Sequence, residues 1–366
     1  MGSFIFDPLT GDPTILSTDR SKRPDQTGAV GTNGTPASNN SQNTVSQPTV
    51  PVPNGVKVSE ISLEDASKVT SNSNNATGQD QGSAANSQNG AQSASQPKPK
   101  IDFFAKGNEH LTPPALYQDA DDWNVRVIAN KYPIIGDHEV VIHSPDSNKD
   151  IDELSNEQVT RIVRAYLNRL HAHTNEDKEV FIFNNRGHKA GASLDHPHSQ
   201  IVALKGFPGT TQKEKESALR YYDEHNTCYW CDEIKDAVAE TDPNKSRVVI
   251  ESTHFVAITP KASRWPYEVR LTPKTHRPNF GMIDEPEIND FAVVLKKLLQ
   301  IYGKAFNYPD RNFWIRTQRY DPFHWHVGFL PHLKVFGALE LGAGIWVNDK
   351  ASPEDAAKLL RENIVS

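Results

Sequence analysis

The sequence predicts an α+β protein assembled by internal duplication from two similar halves, with antiparallel sheets and packed helices. Three observations predict it. Short β-branched and apolar runs lie between turn residues, as strands do. Two long segments place apolar residues at helical spacing. A strand bearing two histidines recurs in register. His196-Pro197-His198 and His324-Trp325-His326 lie 128 residues apart, while Pro145-Asp146-Ser147 and Lys274-Thr275-His276 lie 129 apart. A register kept across a helix and two strands points to a repeat.

In chain order, residues 1–23 form an N-terminal arm whose end carries Arg20 and Arg23. Residues 24–100 are nearly all Ser, Asn, Gln, Gly, Thr, Ala and Pro. Such a segment cannot bury enough apolar surface to offset its chain entropy, so a disordered linker is expected. The first half, 101–210, then offers strands at 126–129 and 138–142. A helix at 152–174 follows, with Val159, Ile162, Val163, Tyr166, Leu167 and Leu170 on one side, and then strands at 179–184 and 200–204. The second half, 211–366, repeats the plan with strands at 248–250, 255–258 and 268–271. Its helix at 285–306 has Phe291, Val294, Leu295, Leu298 and Leu299 on its apolar side, ahead of strands at 313–317 and 325–330.

Composition narrows the function. Hydrophobic residues make up 36% of the 366, a deficit that comes from the linker. The formal charge is −7 with no dense Lys/Arg stripe, which argues against a nucleic-acid platform. No apolar run is long enough to span a bilayer, and the start lacks the features of a signal peptide or a myristoylation site. A cytoplasmic protein without nucleic-acid or membrane partners is expected. The two cysteines form one Cys228-x-x-Cys231 pair, which suggests metal before disulfide. With His276 and His324 they make a closed Cys₂His₂ set of the kind zinc uses structurally, favoured over a redox pair. His326 is the alternative ligand if the strand register differs.

The chemistry concentrates between Asn184 and Gln200. A loop containing Gly187, Gly191 and Ser193 runs into a strand bearing His196 and His198. Alternate strand residues share a face, so both imidazoles point to one side. Loop amides and the Ser193 hydroxyl suit a phosphate, and a neutral imidazole is a competent nucleophile near neutral pH.

His196-Pro197-His198-Ser199-Gln200, preceded by Asn185-Arg186-Gly187 and Gly191-Ala192-Ser193, resembles the active-site signature of the galactose-1-phosphate uridylyltransferases. These form a branch of the histidine-triad superfamily that also holds ADP-glucose phosphorylases. Asp7-Pro8-Leu9-Thr10-Gly11, Gly107-Asn108-Glu109, Asn130-Lys131-Tyr132-Pro133 and 339–345 fall in the family's order. The resemblance covers everything but the linker. It implies two histidine-triad-like halves and a His198 that attacks the α-phosphorus of a nucleotide sugar, with Gln200 on the phosphoryl oxygens. An amide where hydrolytic relatives carry a third histidine removes a proton source, which favours transfer between phosphates. By the same resemblance, Arg20, Arg23, Asn130, Asn185 and Ser193 contact the nucleotide and its phosphates. Lys334 and Glu340 contact the hexose phosphate, one structural zinc sits in the second half, and the enzyme is a homodimer acting on a nucleotide sugar and a sugar phosphate.

Two departures stand out. The family's first-half metal ligands are replaced by Asp102, Ala105 and Ser147, leaving His196 to orient neighbours through hydrogen bonds. Trp346 and Leu339 stand at positions that the resemblance ties to galactose, which points away from a strict galactose enzyme and leaves an ADP-glucose phosphorylase-like or other nucleotide-sugar reaction as the alternative. The opposed reading is a nucleotide-binding protein that lost catalysis along with that metal. The retention of His198, Gln200 and both arginines argues against it.

Overall fold

A computed structural model describes residues 3–11, 13–16, 101–207 and 209–365. The expected linker, Arg20 and Arg23 lie outside the described residues. Strands β1 (Ser3–Phe6) and β2 (Pro13–Leu16) form a hairpin, and β3 (Ala115–Gln118), β4 (Arg126–Ala129) and β5 (Asp137–Ile142) follow. Helix α1 (Asn156–Asn175) leads to β6 (Glu179–Arg186) and β7 (His198–Leu204), then to helices α2 (Thr210–His225) and α3 (Tyr229–Ala239). Next come β8 (Val248–Glu251), β9 (Phe255–Ile258) and β10 (Val269–Pro273), helix α4 (Glu285–Phe306), β11 (Arg311–Arg316) and β12 (His326–Pro331). The chain closes with α5 (Ala338–Ala343), β13 (Trp346–Asn348) and α6 (Pro353–Glu362).

The helix ends follow from capping. Ser155 accepts a hydrogen bond from the Gln158 amide, so α1 starts a turn later than its apolar pattern suggests. Asp284 and Glu287 form a reciprocal capping box at the start of α4. Among the described residues no helix is long and apolar enough to cross a membrane.

The sheet differs from the expected pair of separate sheets. Ten strands join in one antiparallel sheet, ordered β3-β4-β5-β7-β6-β11-β12-β10-β9-β8. β6 and β11 pair antiparallel, Arg311 opposite Arg186 and Ile315 opposite Ile182. Each strand would otherwise expose an unpaired edge, and joining them removes both. Read inward from either end, the order is the same: three antiparallel strands, the histidine-bearing strand, then the strand that follows the long helix. A separate three-stranded sheet ties the hairpin to the C-terminal region, with β13 parallel to β2.

Two apolar layers cover the large sheet. On one face α1 and α4 lie side by side. Val159, Ile162, Tyr166, Phe291, Leu295 and Leu299 pack there against strand residues such as Val141, Ile201, Leu271 and Val327. On the other face Phe104, Trp123, Ile128, Val140 and Ile142 form a smaller cluster in the first half. In the second half α3 covers the corresponding surface through Ala237, packed against Val256 and Ile258. The period of two along β7 sends Ser199, Ile201 and Ala203 toward the helices. His198 and Gln200 therefore fall on the opposite face, beside the smaller cluster.

Candidate active site

The β5–β7 register sets Ile142 opposite His198 and Val140 opposite Gln200. His198 is 7% exposed and lines two cavities. One, of about 630 Å³, is mostly apolar, with Ile128, Tyr132, Ile134, Phe183 and Leu194 in its wall and Asn130, Asn185, Ser193 and Gln200 as polar groups. The other, of about 520 Å³, is polar and includes Asp150, Arg186, His188, Asp195 and Asp310. Asn185 and Ser193 belong to both. Phe104 packs edge-on against both His196 and His198.

The hydrogen bonds fix the proton on His198. Its Nδ1 lies 2.8 Å from the His196 carbonyl oxygen, which only accepts, so Nδ1–H donates and Nε2 keeps its lone pair. Burial pushes the His198 pKa down, outweighing the His196 carbonyl bond that raises it, so the ring is neutral at physiological pH. From behind, the Asn184 amide donates to the His198 carbonyl at 2.8 Å. Asn184 Oδ1 in turn accepts from Arg311 at 3.0 Å. On the helix-facing side, the Ser199 hydroxyl meets His143 Nε2 at 2.8 Å and Tyr166 Oη at 2.6 Å. Burial lowers the His143 pKa to about 3, so this ring is neutral too.

Gln200 is aimed by a residue that sequence reasoning missed. The Ile134 amide donates to His138 Nδ1 at 3.1 Å, leaving the proton on Nε2, which donates to Gln200 Oε1 at 2.8 Å. The Gln200 amide nitrogen is therefore the end left to face the cavity. Strand alternation held a signal for His138, since it shares a face with Val140 and Ile142 on β5.

His196 is held on both sides. Its Nδ1 lies 2.9 Å from Asp102 Oδ2, and its Nε2 lies 2.8 Å from the Ser144 carbonyl oxygen. Asp102 Oδ1 also accepts from the Phe104 amide at 3.0 Å. Burial pushes the Asp102 carboxyl up, but the bonds from His196 and the Phe104 amide outweigh it and hold it below the usual carboxylate range.

In the second half Cys228, Cys231, His276 and His324 converge, their ligand atoms all within 4.8 Å of one another. Cys231 Sγ lies 3.4 Å from His276 Nδ1 and 3.6 Å from His324 Nδ1, and Cys228 Sγ lies 4.0 Å from His324 Nδ1. A tetrahedral ion with bonds of about 2.3 Å to sulfur and about 2.0 Å to nitrogen puts those ligands roughly 3.5 Å apart. His276 donates from Nε2 to the Asp321 carbonyl at 2.7 Å, so its Nδ1 is free to ligate. These four residues fit a metal ion.

His326, the alternative ligand, is not in the cluster. It donates from Nδ1 to the His324 carbonyl at 3.0 Å, the same bond that His198 makes, but its Nε2 faces Glu214 at 3.4 Å. Glu214, whose buried carboxyl is held near pKa 2 despite the upward pull of burial because His326 and Arg316 face it, closes the position that is open at His198. Two residues on, Gly328 stands where Gln200 stands in the first half, and the Trp314 indole lies against it.

Half-buried Lys334 pairs with buried Glu340 at 2.9 Å and also donates to the Val347 carbonyl at 2.5 Å. Neither lines the two cavities at His198.

Comparison with known proteins agrees with this geometry. The N-terminal domain of galactose-1-phosphate uridyl transferase matches residues 112–208, and its C-terminal domain matches 214–334. An ADP-glucose phosphorylase of Arabidopsis thaliana is 31% identical over 300 residues, covering 73% of this chain and 83% of the relative. A galactose-1-phosphate uridylyltransferase of Thermotoga maritima is 30% identical over 269 residues, covering 69% and 82%. The crystal structure of an ADP-glucose phosphorylase from Arabidopsis thaliana with bound ADP-glucose superposes with a TM-score of 0.73 at 25% identity, covering 100% of this chain and 99% of that one. The chain belongs to the galactose-1-phosphate uridylyltransferase family.

Proposed function

We propose that this protein is a nucleotidyltransferase that moves a nucleoside monophosphate group from a nucleotide sugar to a phosphate acceptor, through a covalent nucleotidyl-His198 intermediate. The observation that carries the reading is the tautomer of His198: Nδ1–H is tied to the His196 carbonyl, and Nε2 is left with its lone pair on a ring that lines both cavities.

The apolar cavity suits a nucleobase and ribose, with Asn130, Asn185 and Ser193 as polar contacts. His198 Nε2 forms a bond to the α-phosphorus as the bond from phosphorus to the bridging oxygen breaks, and the sugar phosphate leaves with that electron pair. The positive charge that develops on the imidazole is stabilised through Nδ1–H by the His196 carbonyl. The Gln200 amide, aimed by His138, donates to a phosphoryl oxygen. A phosphate oxygen of the acceptor then attacks phosphorus and expels Nε2. Neither leaving group needs a proton at neutral pH, consistent with an amide at position 200.

Identity to the ADP-glucose phosphorylase supports a second acceptor, inorganic phosphate, beside a hexose 1-phosphate. Lys334 and Glu340 are assigned to the acceptor across a homodimer, a role consistent with their distance from this chain's own cavities. We assign zinc to the Cys₂His₂ cluster, where Cys228, Cys231, His276 and His324 would hold it as a structural ion. Domain division at 210/211 and origin by duplication are supported by the strand order, which is the same from either end of the sheet.

Initial rates with UDP-glucose or ADP-glucose, each paired with galactose 1-phosphate, glucose 1-phosphate or phosphate, test the proposal. Parallel double-reciprocal lines are expected for the productive pair. Intersecting lines contradict the covalent intermediate.

A further inference from the structure

We infer that Asp102 does for the first half what the Cys₂His₂ cluster is suited to do for the second: it fixes the leading histidine of the His-x-His segment, whose backbone carbonyl holds the second ring, in the first half the reactive His198. The inference rests on the proposed function only for the activity it affects.

The two halves share one arrangement around the His-x-His segment. In the second half the His324 side chain lies in the Cys228, Cys231 and His276 cluster, and its carbonyl accepts from His326 Nδ1 at 3.0 Å. In the first half the carbonyl of His196 accepts from His198 Nδ1 at 2.8 Å. Among the described residues, no ligand set for a metal surrounds the His196 side chain: Asp102 and Ala105 stand where the second half has its cysteines, and Ser147 where it has His276. These residues do not fit a metal ion. Instead the imidazole is clamped between the Asp102 carboxylate at 2.9 Å and the Ser144 carbonyl at 2.8 Å.

The clamp also accounts for charge and burial. His196 is 4% exposed, and a buried polar ring needs partners for both nitrogens. Asp102 Oδ2 and the Ser144 carbonyl oxygen supply those partners, one on each nitrogen. Asp102 reaches this position because its own turn is fixed. Its Oδ1 accepts from the Phe104 amide, and the Asn108 side chain donates to its carbonyl at 2.7 Å. The same turn delivers Phe104 against both imidazoles. Asp102 is thus a positioning residue. It touches no reacting atom and acts through the His196 main chain.

The test compares the full-length wild type with Asp102→Ala and Asp102→Asn, reading metal content, the single-turnover rate of nucleotidyl-His198 formation and KM. Wild type should hold about one metal ion per chain. Asp102→Ala should slow formation of the intermediate about 10- to 100-fold with KM changed less than about three-fold, the loss typical of an outer partner that orients a working group. An Asn amide can either donate to or accept from His196 Nδ1, so Asp102→Asn should recover most of that loss. A second variant, Asp102→Cys with Ala105→Cys and Ser147→His, should bind a second metal equivalent, read by metal analysis and by cobalt–thiolate absorption. An Asp102→Ala rate equal to wild type, or a wild type that already holds two metal ions, overturns the inference. Wild type that forms no intermediate at all refutes the proposed function instead, while the metal counts still decide the role of Asp102.

Discussion

Replacing Arg311 by Met removes a buried cation at the seam between the two halves of the sheet. Arg311 is 1% exposed and its guanidinium reaches Asp150 at 2.6 Å, Asp152 at 3.4 Å and Asn184 Oδ1 at 3.0 Å. Both carboxylates are buried. Burial pushes the Asp150 carboxyl up, but the charges of Arg311 and neighbouring groups outweigh it, whereas Asp152 stays raised because burial prevails over Arg311. Without the guanidinium, Asp152 loses its ion pair, while Asp150 retains Arg186 at 3.2 Å. Breaking a buried pair in this way costs about 3–5 kcal/mol. The sign with pH is defined. In the variant both carboxyls lose a lowering charge and move up from their wild-type positions, so protonation relieves the deficit. The stability deficit is then largest above neutrality and shrinks as pH falls toward 5. Urea unfolding of wild type and Arg311→Met at pH 5.5, 7 and 8.5 measures this. A deficit below about 1 kcal/mol, or one equal at all three pH values, refutes the reasoning.

Other perturbations separate the parts of the site. Gln200→Ala removes a donor to the phosphoryl oxygens, and a loss of about 10²-fold in kcat is expected from steady-state rates. Gln200→His restores an ionisable group there, and the ratio of hydrolysis to transfer, followed by product analysis, should rise. Cys231→Ser removes one ligand of the Cys₂His₂ set. Metal analysis should fall from about one equivalent to well below that, with a lowered Tm, because structural metal binding contributes to folding.

Much of the fold was legible because its apolar periodicities are long and regular. The helix expected at 285–306 coincides with α4 (Glu285–Phe306), and the strand expected at 126–129 coincides with β4 (Arg126–Ala129). The paired His-x-His segments were visible for the same reason. α2 and α3 were not. Much of α2 is charged and exposed, and its buried Glu214 takes its place through a tertiary contact with His326 that no local pattern announces. The merging of β6 with β11 was equally hidden, since edge pairing depends on the partner strand. In the site, the convergence of Cys228, Cys231, His276 and His324 was legible as a set of metal-ligating residue types. His138 was missed because its importance arises from pairing with a strand more than sixty residues away. Asp102 was visible only as a departure, and its hydrogen bond turns that departure into a contact.

The central claim is the bond between His198 and phosphorus, and intact-mass measurement tests it most directly. After incubation with UDP-glucose or ADP-glucose, wild type should gain one nucleoside monophosphate that is lost in acid, and His198→Ala should gain none. An adduct that persists in His198→Ala, or none on wild type with any nucleotide sugar, contradicts the account.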